Sequence, residues 1–158
     1  MAQRAVRASD SPFIERVARV VYDSAESEWS TPDGCWDLVV LRKREEIMVL
    51  HTGLISKPVL LENEPGDSFL AISFKPGVFL PSAPGSAMLD RGVLRPRPSA
   101  WTFAMETETF EVPTFESAEQ LVGRLAGRGL LARDELVECV AAGERRARCS
   151  GIFSPRSA

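Results

Sequence analysis

The sequence predicts a mainly β domain that ends in helices, an α+β arrangement built on an antiparallel sheet. Three observations carry this. Short apolar and β-branched runs fill the chain to Val112, punctuated by Pro, Gly and Asp turns. Two of those turns, Pro32-Asp33-Gly34 and Pro76-Gly77, each adjoin an apolar run. After Pro113 the apolar spacing changes from the period of a strand to that of a helix. Strands first and helices afterwards argue against a doubly wound α/β sheet.

In chain order, residues 1–12 read as a loose entry ending at Ser11-Pro12, and residues 17–22 as a first, β-branched strand. Residues 25–33 are polar and turn-rich. Pro32-Asp33-Gly34 fixes a tight turn, because Pro sets φ, Asp bonds back to the backbone and Gly accepts positive φ. Residues 35–41 form the clearest strand, and a charged connection, Arg42-Lys43-Arg44-Glu45, leads to its hairpin partner at 46–51. A loop starts at Thr52-Gly53. A short strand comes next at 59–61, then a sharp turn at Glu64-Pro65-Gly66-Asp67. Residues 69–74 read as a buried strand stopped by Pro76-Gly77. Five Pro and three Gly make residues 75–99 a loop with one short helical stretch, Ala87-Met88-Leu89. Residues 101–105 and 109–112 read as another hairpin. Leu121, Val122 and Leu125 share a helical face, with acidic residues in the first turn and Gly127 and Gly129 beyond. Asp134 caps a second helix running through Val140 and ended by Gly143.

At 158 residues with 44% hydrophobic content, the chain makes one domain with an appendage and can bury a core. Its net charge of −3 favours neither nucleic acid nor a membrane surface for the whole chain. The charge is uneven: residues 143–158 carry Arg145, Arg146, Arg148 and Arg156 against Glu144, and the body is acidic. These arginines are candidates for DNA-backbone contact, although such a run more commonly forms a solvated end. Cys35, Cys139 and Cys149 are odd in number and widely spaced, which fits reduced thiols in a cytoplasm. The N-terminal segment lacks the apolar core of a signal peptide, and no apolar run reaches membrane-spanning length.

His51 is the only histidine. One His cannot supply the ligand set of a metal-dependent β-barrel enzyme, so no metal and no cofactor are expected. It sits in the alternation Ile47-Val49-His51, as a structural or ligand-contacting residue would. Cys35 lies between Asp33 and Asp37, whose negative charge raises a thiol pKa and argues for a small buried hydrophobe over a redox sensor. Asp33 suits an Asx turn. Asp37 interrupts an apolar strand, on the face of Cys35, Val39 and Leu41 and opposite Trp36, Leu38 and Val40. It is expected to be buried or half-buried with a partner such as Arg16 or Arg19. Trp29, Trp36 and Trp101 are core residues or the walls of a pocket. The candidate ligand contacts are Trp36, Asp37, His51 and Trp101.

Several segments in register resemble one family. Pro32-Asp33-Gly34-Cys35-Trp36-Asp37-Leu38 is similar to the PDGC-x-DL signature of bacterial AraC-type transcription regulators. Phe74-Lys75-Pro76-Gly77-Val78-Phe79-Leu80-Pro81 resembles their R-F-R-P-G-A-F-L-P segment, and Leu89-Asp90-Arg91-Gly92-Val93 their L-x-D-R-x-V. Phe115-Glu116-Ser117-Ala118-Glu119 and Arg128-Gly129-Leu130-Leu131-Ala132-Arg133-Asp134 resemble F-E-x-A-E and R-G-L-L-x-R-D. Ser154-Pro155-Arg156-Ser157 is similar to the S-P-R-S that opens the family's recognition helix, the point at which the sequence stops.

The combined expectation is an antiparallel cupin-like half-barrel at 13–113, a helical appendage at 114–142 and a basic tail at 143–158. The resemblance implies an effector-sensing or dimerising domain: a small-molecule effector, a homodimer, a cytoplasmic location, and DNA bound only through a helix-turn-helix this sequence lacks. Two rival readings stand beside it. One is a small β-barrel enzyme using Asp37, His51 and Cys35; the other is a purely structural dimerisation domain. Convergence of Asp37 and His51 in an aromatic pocket would favour the first, and a solidly packed barrel the second.

Overall fold

The computed structural model describes residues 1–137 of the chain. Its elements are β1 (Gln3–Arg7), β2 (Ile14–Val21), β3 (Glu26–Ser30), β4 (Asp37–Lys43), β5 (Glu46–Thr52), β6 (Val59–Asn63), β7 (Ser68–Phe74), β8 (Val78–Phe79), α1 (Gly85–Met88), β9 (Gly92–Arg95), β10 (Thr102–Met105), β11 (Glu108–Glu111), α2 (Ala118–Gly127) and β12 (Ala132–Arg133). The fold is mainly antiparallel β. A six-stranded sheet runs in the order β1-β2-β7-β4-β5-β9, and three two-stranded ribbons, β10-β11, β12-β8 and β3-β6, surround it. Its outer strands β1 and β9 do not pair with each other, so no barrel closes among the described residues.

Strand β7 is central because its sequence is apolar on both faces. Leu70, Ala71, Ile72, Ser73 and Phe74 are all buried between β2 and β4. Pleating then sorts the neighbours by parity. Val17, Ile72, Leu38 and His51 lie side by side across four strands and point into the core. The adjacent row, Arg16, Ser73, Asp37 and Thr52, occupies the opposite face. A two-residue loop joins β4 to β5, with Lys43 opposite Glu46 and positive φ at both Arg44 and Glu45, the geometry of a type I′ turn. After β7 the chain reverses at Lys75-Pro76-Gly77-Val78. Val78 N–H donates to the Lys75 carbonyl at 3.0 Å and Gly77 has φ of 93°, a type II turn that favours Gly at this position.

Helix α2 covers the core face through Ala118, Leu121, Val122 and Leu125, as its spacing predicts. Thr114 and Ser117 exchange hydrogen bonds ahead of its first turn, Thr114 N–H to Ser117 Oγ at 2.9 Å and Ser117 N–H to Thr114 Oγ1 at 3.1 Å. Beyond its end, Leu130 N–H reaches the Leu125 carbonyl and Gly129 N–H that of Ala126, a Schellman closure. Arg7 fastens the helix to the sheet. Its guanidinium donates to the Phe115 carbonyl and to Glu119, with Nη2 at 2.8 Å from Oε2, and Arg7 and Arg19 stack near the Phe115 ring at 5.1 and 5.0 Å.

The structure corrects several expectations. Residues 1–12 contain an edge strand, β1, which borrows its order from pairing with β2. The polar segment 25–33 contains β3, half of a ribbon with β6. The Pro-rich stretch 75–99 holds β8 and β9, and its helix α1 begins earlier than Ala87-Met88-Leu89 suggested. A short strand, β12, stands between the two expected helices. Asp134 does cap the turn after it, its Oδ1 accepting from the amides of Leu136 and Val137 at 3.0 and 3.2 Å. The rest of that helix, Cys139, Cys149, and Arg145, Arg146, Arg148 and Arg156 lie outside the described residues.

The Arg7 pair fixes an acid sensitivity. Its guanidinium hydrogen bonds hold the Glu119 carboxyl at about 2, below its ordinary 4.5. A depressed carboxylate stabilises the fold above 4.5 and loses that contribution as pH falls towards 2. Glu119 is partly exposed, so the contribution is about 1 kcal/mol. Glu119→Gln is expected to lower the urea midpoint at pH 7 and to flatten its decline between pH 4.5 and 2. A decline as steep as that of the unsubstituted chain would refute this.

Candidate functional site

The two turn segments noted in the sequence meet at one cavity of about 290 Å³ on the core side of the sheet. Gly34 and Trp36 approach from the segment before β4, His51 from β5, and residues 76–80 from the turn and β8. Met88 of α1 and the loop at Gly53 and Leu54 form a further wall, and Asp134 and Val137 complete the lining. The volume lies at the lower end of small-molecule pockets, roughly 300–1,000 Å³.

Trp36 is the organising side chain. It stacks on Phe74 with ring centres 3.9 Å apart and planes 9° from parallel. His51 meets it edge-on at 4.8 Å and 73°. Its Nε1–H donates to the Val78 carbonyl at 2.6 Å, tying β8 to the start of β4. β8 in turn pairs with β12, and Asp134 N–H donates to the Gly77 carbonyl at 2.7 Å. The strand that walls the cavity thus holds the segment that leads into residues 134–137.

His51 is 3% exposed. An Arg95 Nη2 lies 3.2 Å from its Nδ1, and since a guanidinium can only donate, Nδ1 accepts and the proton resides on Nε2. Burial and the Arg95 charge push the imidazole down to about 4, so it is neutral at pH 7. Arg95 is itself 11% exposed at its side chain and faces Glu106 at 3.7 Å, whose carboxylate accepts from Ser82 at 2.8 Å. Gly53 shows why the far wall is close. A Cβ there would fall 1.8 Å from the Met88 carbonyl oxygen. Gly53 N–H also donates to the Arg91 carbonyl, and Asp90 N–H to that of Leu54, clamping the loop onto α1.

The structure brings Trp36 and His51 together and separates the other two candidates from them. Asp37 lies on the opposite face, because Leu38, not Asp37, is the cross-strand partner of His51. Trp101 is 80% exposed and outside the cavity. Asp37, His51 and Cys35 therefore do not converge as the enzyme reading requires. Asp33 makes the Asx turn, its Oδ1 accepting from Cys35 N–H at 2.9 Å. The expected cation goes elsewhere: Arg16 pairs with Asp33. Asp37 keeps an enclosed Oδ1 with no hydrogen-bond partner among the described residues. Burial pushes its carboxyl up to about 6, partly offset by the Ser73 hydroxyl. Burial and the neighbouring Asp33 raise the Cys35 thiol to about 11, so it is not a nucleophilic thiolate at neutral pH. Sequence reasoning missed Arg95, Gly53 and Met88. Among the described residues no group of His, Cys, Asp and Glu is arranged to hold a metal.

Both Asp37 and Gly53 can be tested by substitution. A raised carboxylate weakens the fold as pH climbs from 3.8 towards 6 and fully so above it. Asp37→Asn removes the buried charge and is expected to raise stability at pH 7 by roughly 1–2 kcal/mol, with the gain vanishing near pH 4. Denaturant titrations at both pH values check this, and a loss at pH 7 would contradict it. Gly53→Ala drives a methyl into backbone and is expected to cost on the order of 1–3 kcal/mol, read from the same midpoints; an unchanged midpoint would refute the close contact.

Compared with family models, curated proteins and solved structures, the chain matches none of them.

Proposed function

We propose that this chain is the effector-sensing domain of an AraC-type transcription regulator, on a cupin-like half-barrel. The observation that carries the reading is the convergence of the two family-like segments, around Trp36 and around Val78, on one cavity. The same strand, β8, holds β12 and the Asp134 amide, which gives occupancy of the cavity a mechanical route into the following chain. Binding that favours one arrangement of β8 would shift the segment after it by the ligand's differential affinity for that arrangement. In this reading DNA contact belongs to a helix-turn-helix and not to the sheet, and the domain works in the cytoplasm.

Self-association belongs to the same proposal. Trp29 and Leu60, cross-strand neighbours on the β3-β6 ribbon, are 64% and 44% exposed, and a second copy of the chain is the occupant proposed for them. Trp29→Ser with Leu60→Ser should then lower the mass measured by sedimentation.

The test of effector binding is native mass spectrometry of the chain purified from its own host. A small molecule is expected to be retained by the unsubstituted protein and lost from Ala83→Leu, which fills the cavity from a half-buried position. With the retained molecule added back, hydrogen exchange at the Asp134 amide should slow. A molecule retained equally by the filled variant would place binding elsewhere, and unchanged exchange at Asp134 would remove the regulatory link.

A further inference from the structure

Resting on the reading of the cavity as an effector site, the chemistry of its wall narrows the ligand. The lining is apolar apart from backbone, His51 and Asp134. Asp134 Oδ1 already accepts from the amides of Leu136 and Val137, on an exposed side chain. His51 spends Nδ1 on Arg95, and its Nε2–H has no protein partner among the described residues, on a buried ring that lines the cavity. That N–H is not one of the sheet's enclosed unpartnered atoms and so reaches the open cavity, where a ligand acceptor can take the place of water.

We infer that the cavity takes a small, mainly apolar molecule with one acceptor oxygen, a carbonyl or carboxylate, which receives the His51 Nε2–H. Arg95, donating to Nδ1, fixes the tautomer and polarises the ring towards donation at Nε2. The Arg95–Glu106–Ser82 chain holds that guanidinium in place behind the imidazole. The imidazole stays neutral through the physiological range, so the donor persists without a charge to desolvate. A cationic ligand meets the Arg95 guanidinium behind the ring, and the one carboxylate of the lining, Asp134, is exposed and screened by water, so a cation is disfavoured. The volume limits the body to about one aromatic ring or a short branched chain.

His51 is the only histidine, so ¹⁵N-labelled imidazole reports on it without ambiguity. Four probes of similar size decide the class: toluene, acetophenone, benzoate and benzylammonium. Acetophenone is expected to bind about tenfold more tightly than toluene and to move the Nε2 resonance far more than Nδ1. Benzylammonium should bind more weakly than acetophenone. Benzoate tighter than acetophenone assigns a carboxylate, and the reverse a neutral carbonyl; both support the acceptor. His51→Phe should erase the preference while leaving toluene binding, and if that variant does not fold the resonance shifts decide alone. Equal affinity for toluene and acetophenone with a still Nε2 resonance, or a ring protonated on Nδ1, would overturn the inference and leave the cavity reading intact. Failure of all four probes to bind would overturn both.

Discussion

The indole of Trp36 is the constraint on which the rest of the site depends. One buried side chain stacks on the central strand at Phe74, meets the β5 imidazole edge-on, and donates to the β8 carbonyl of Val78. None of these contacts is strong alone: aromatic pairs contribute about 0.5–1.5 kcal/mol and a net hydrogen bond about 1 kcal/mol. Together they fix the distance between the start of β4 and the turn after β7. A cavity survives beside the indole because the Pro76-Gly77 turn carries the chain away before β8 begins, and because Gly53 brings α1 in as the far wall.

The sheet keeps its two faces chemically distinct. The core face carries His51, the other face Asp37, and desolvation pushes both towards neutrality from opposite directions. The consequence at neutral pH is an uncharged His51 beside Arg95, which faces Glu106, and an Asp37 that still carries most of its charge at a cost to the fold. The costs differ in purpose. At His51 the buried polar atom faces a space that a ligand can fill. At Asp37 the enclosed oxygen faces protein.

Much of the architecture was legible because it obeys local rules. β4, β5 and β7 announce themselves as apolar runs between turns, the β10-β11 hairpin by spacing, and α2 by its buried face at Leu121, Val122 and Leu125. The strands that escaped notice have no such pattern. Glu26–Ser30 alternates polar residues because one face of its ribbon meets water, and Gln3–Arg7 is an edge strand ordered by its neighbour. Gly92–Arg95 hides in a Pro-rich stretch. In the site, Trp36 and His51 were legible, and the hairpin parity that puts His51 opposite an even-numbered residue already separates it from Asp37. Arg95 and Met88 were not legible. They reach the site through a strand edge and a one-turn helix whose docking is a long-range event.

The arrangement explains why sequence segments so far apart belong together. The Pro-Asp-Gly turn delivers Trp36, the Pro-Gly turn delivers Val78, and β12 returns to pair with the strand between them. The central claim is that these segments border a preformed, half-open and mainly apolar cavity that admits small molecules. Xenon titration monitored by ¹H–¹³C methyl NMR tests it most directly, since an apolar cavity binds xenon without needing any polar match. The account predicts saturable shifts concentrated at Val78, Leu80 and Met88. Shifts spread evenly over surface methyls, or none at these three, would contradict it.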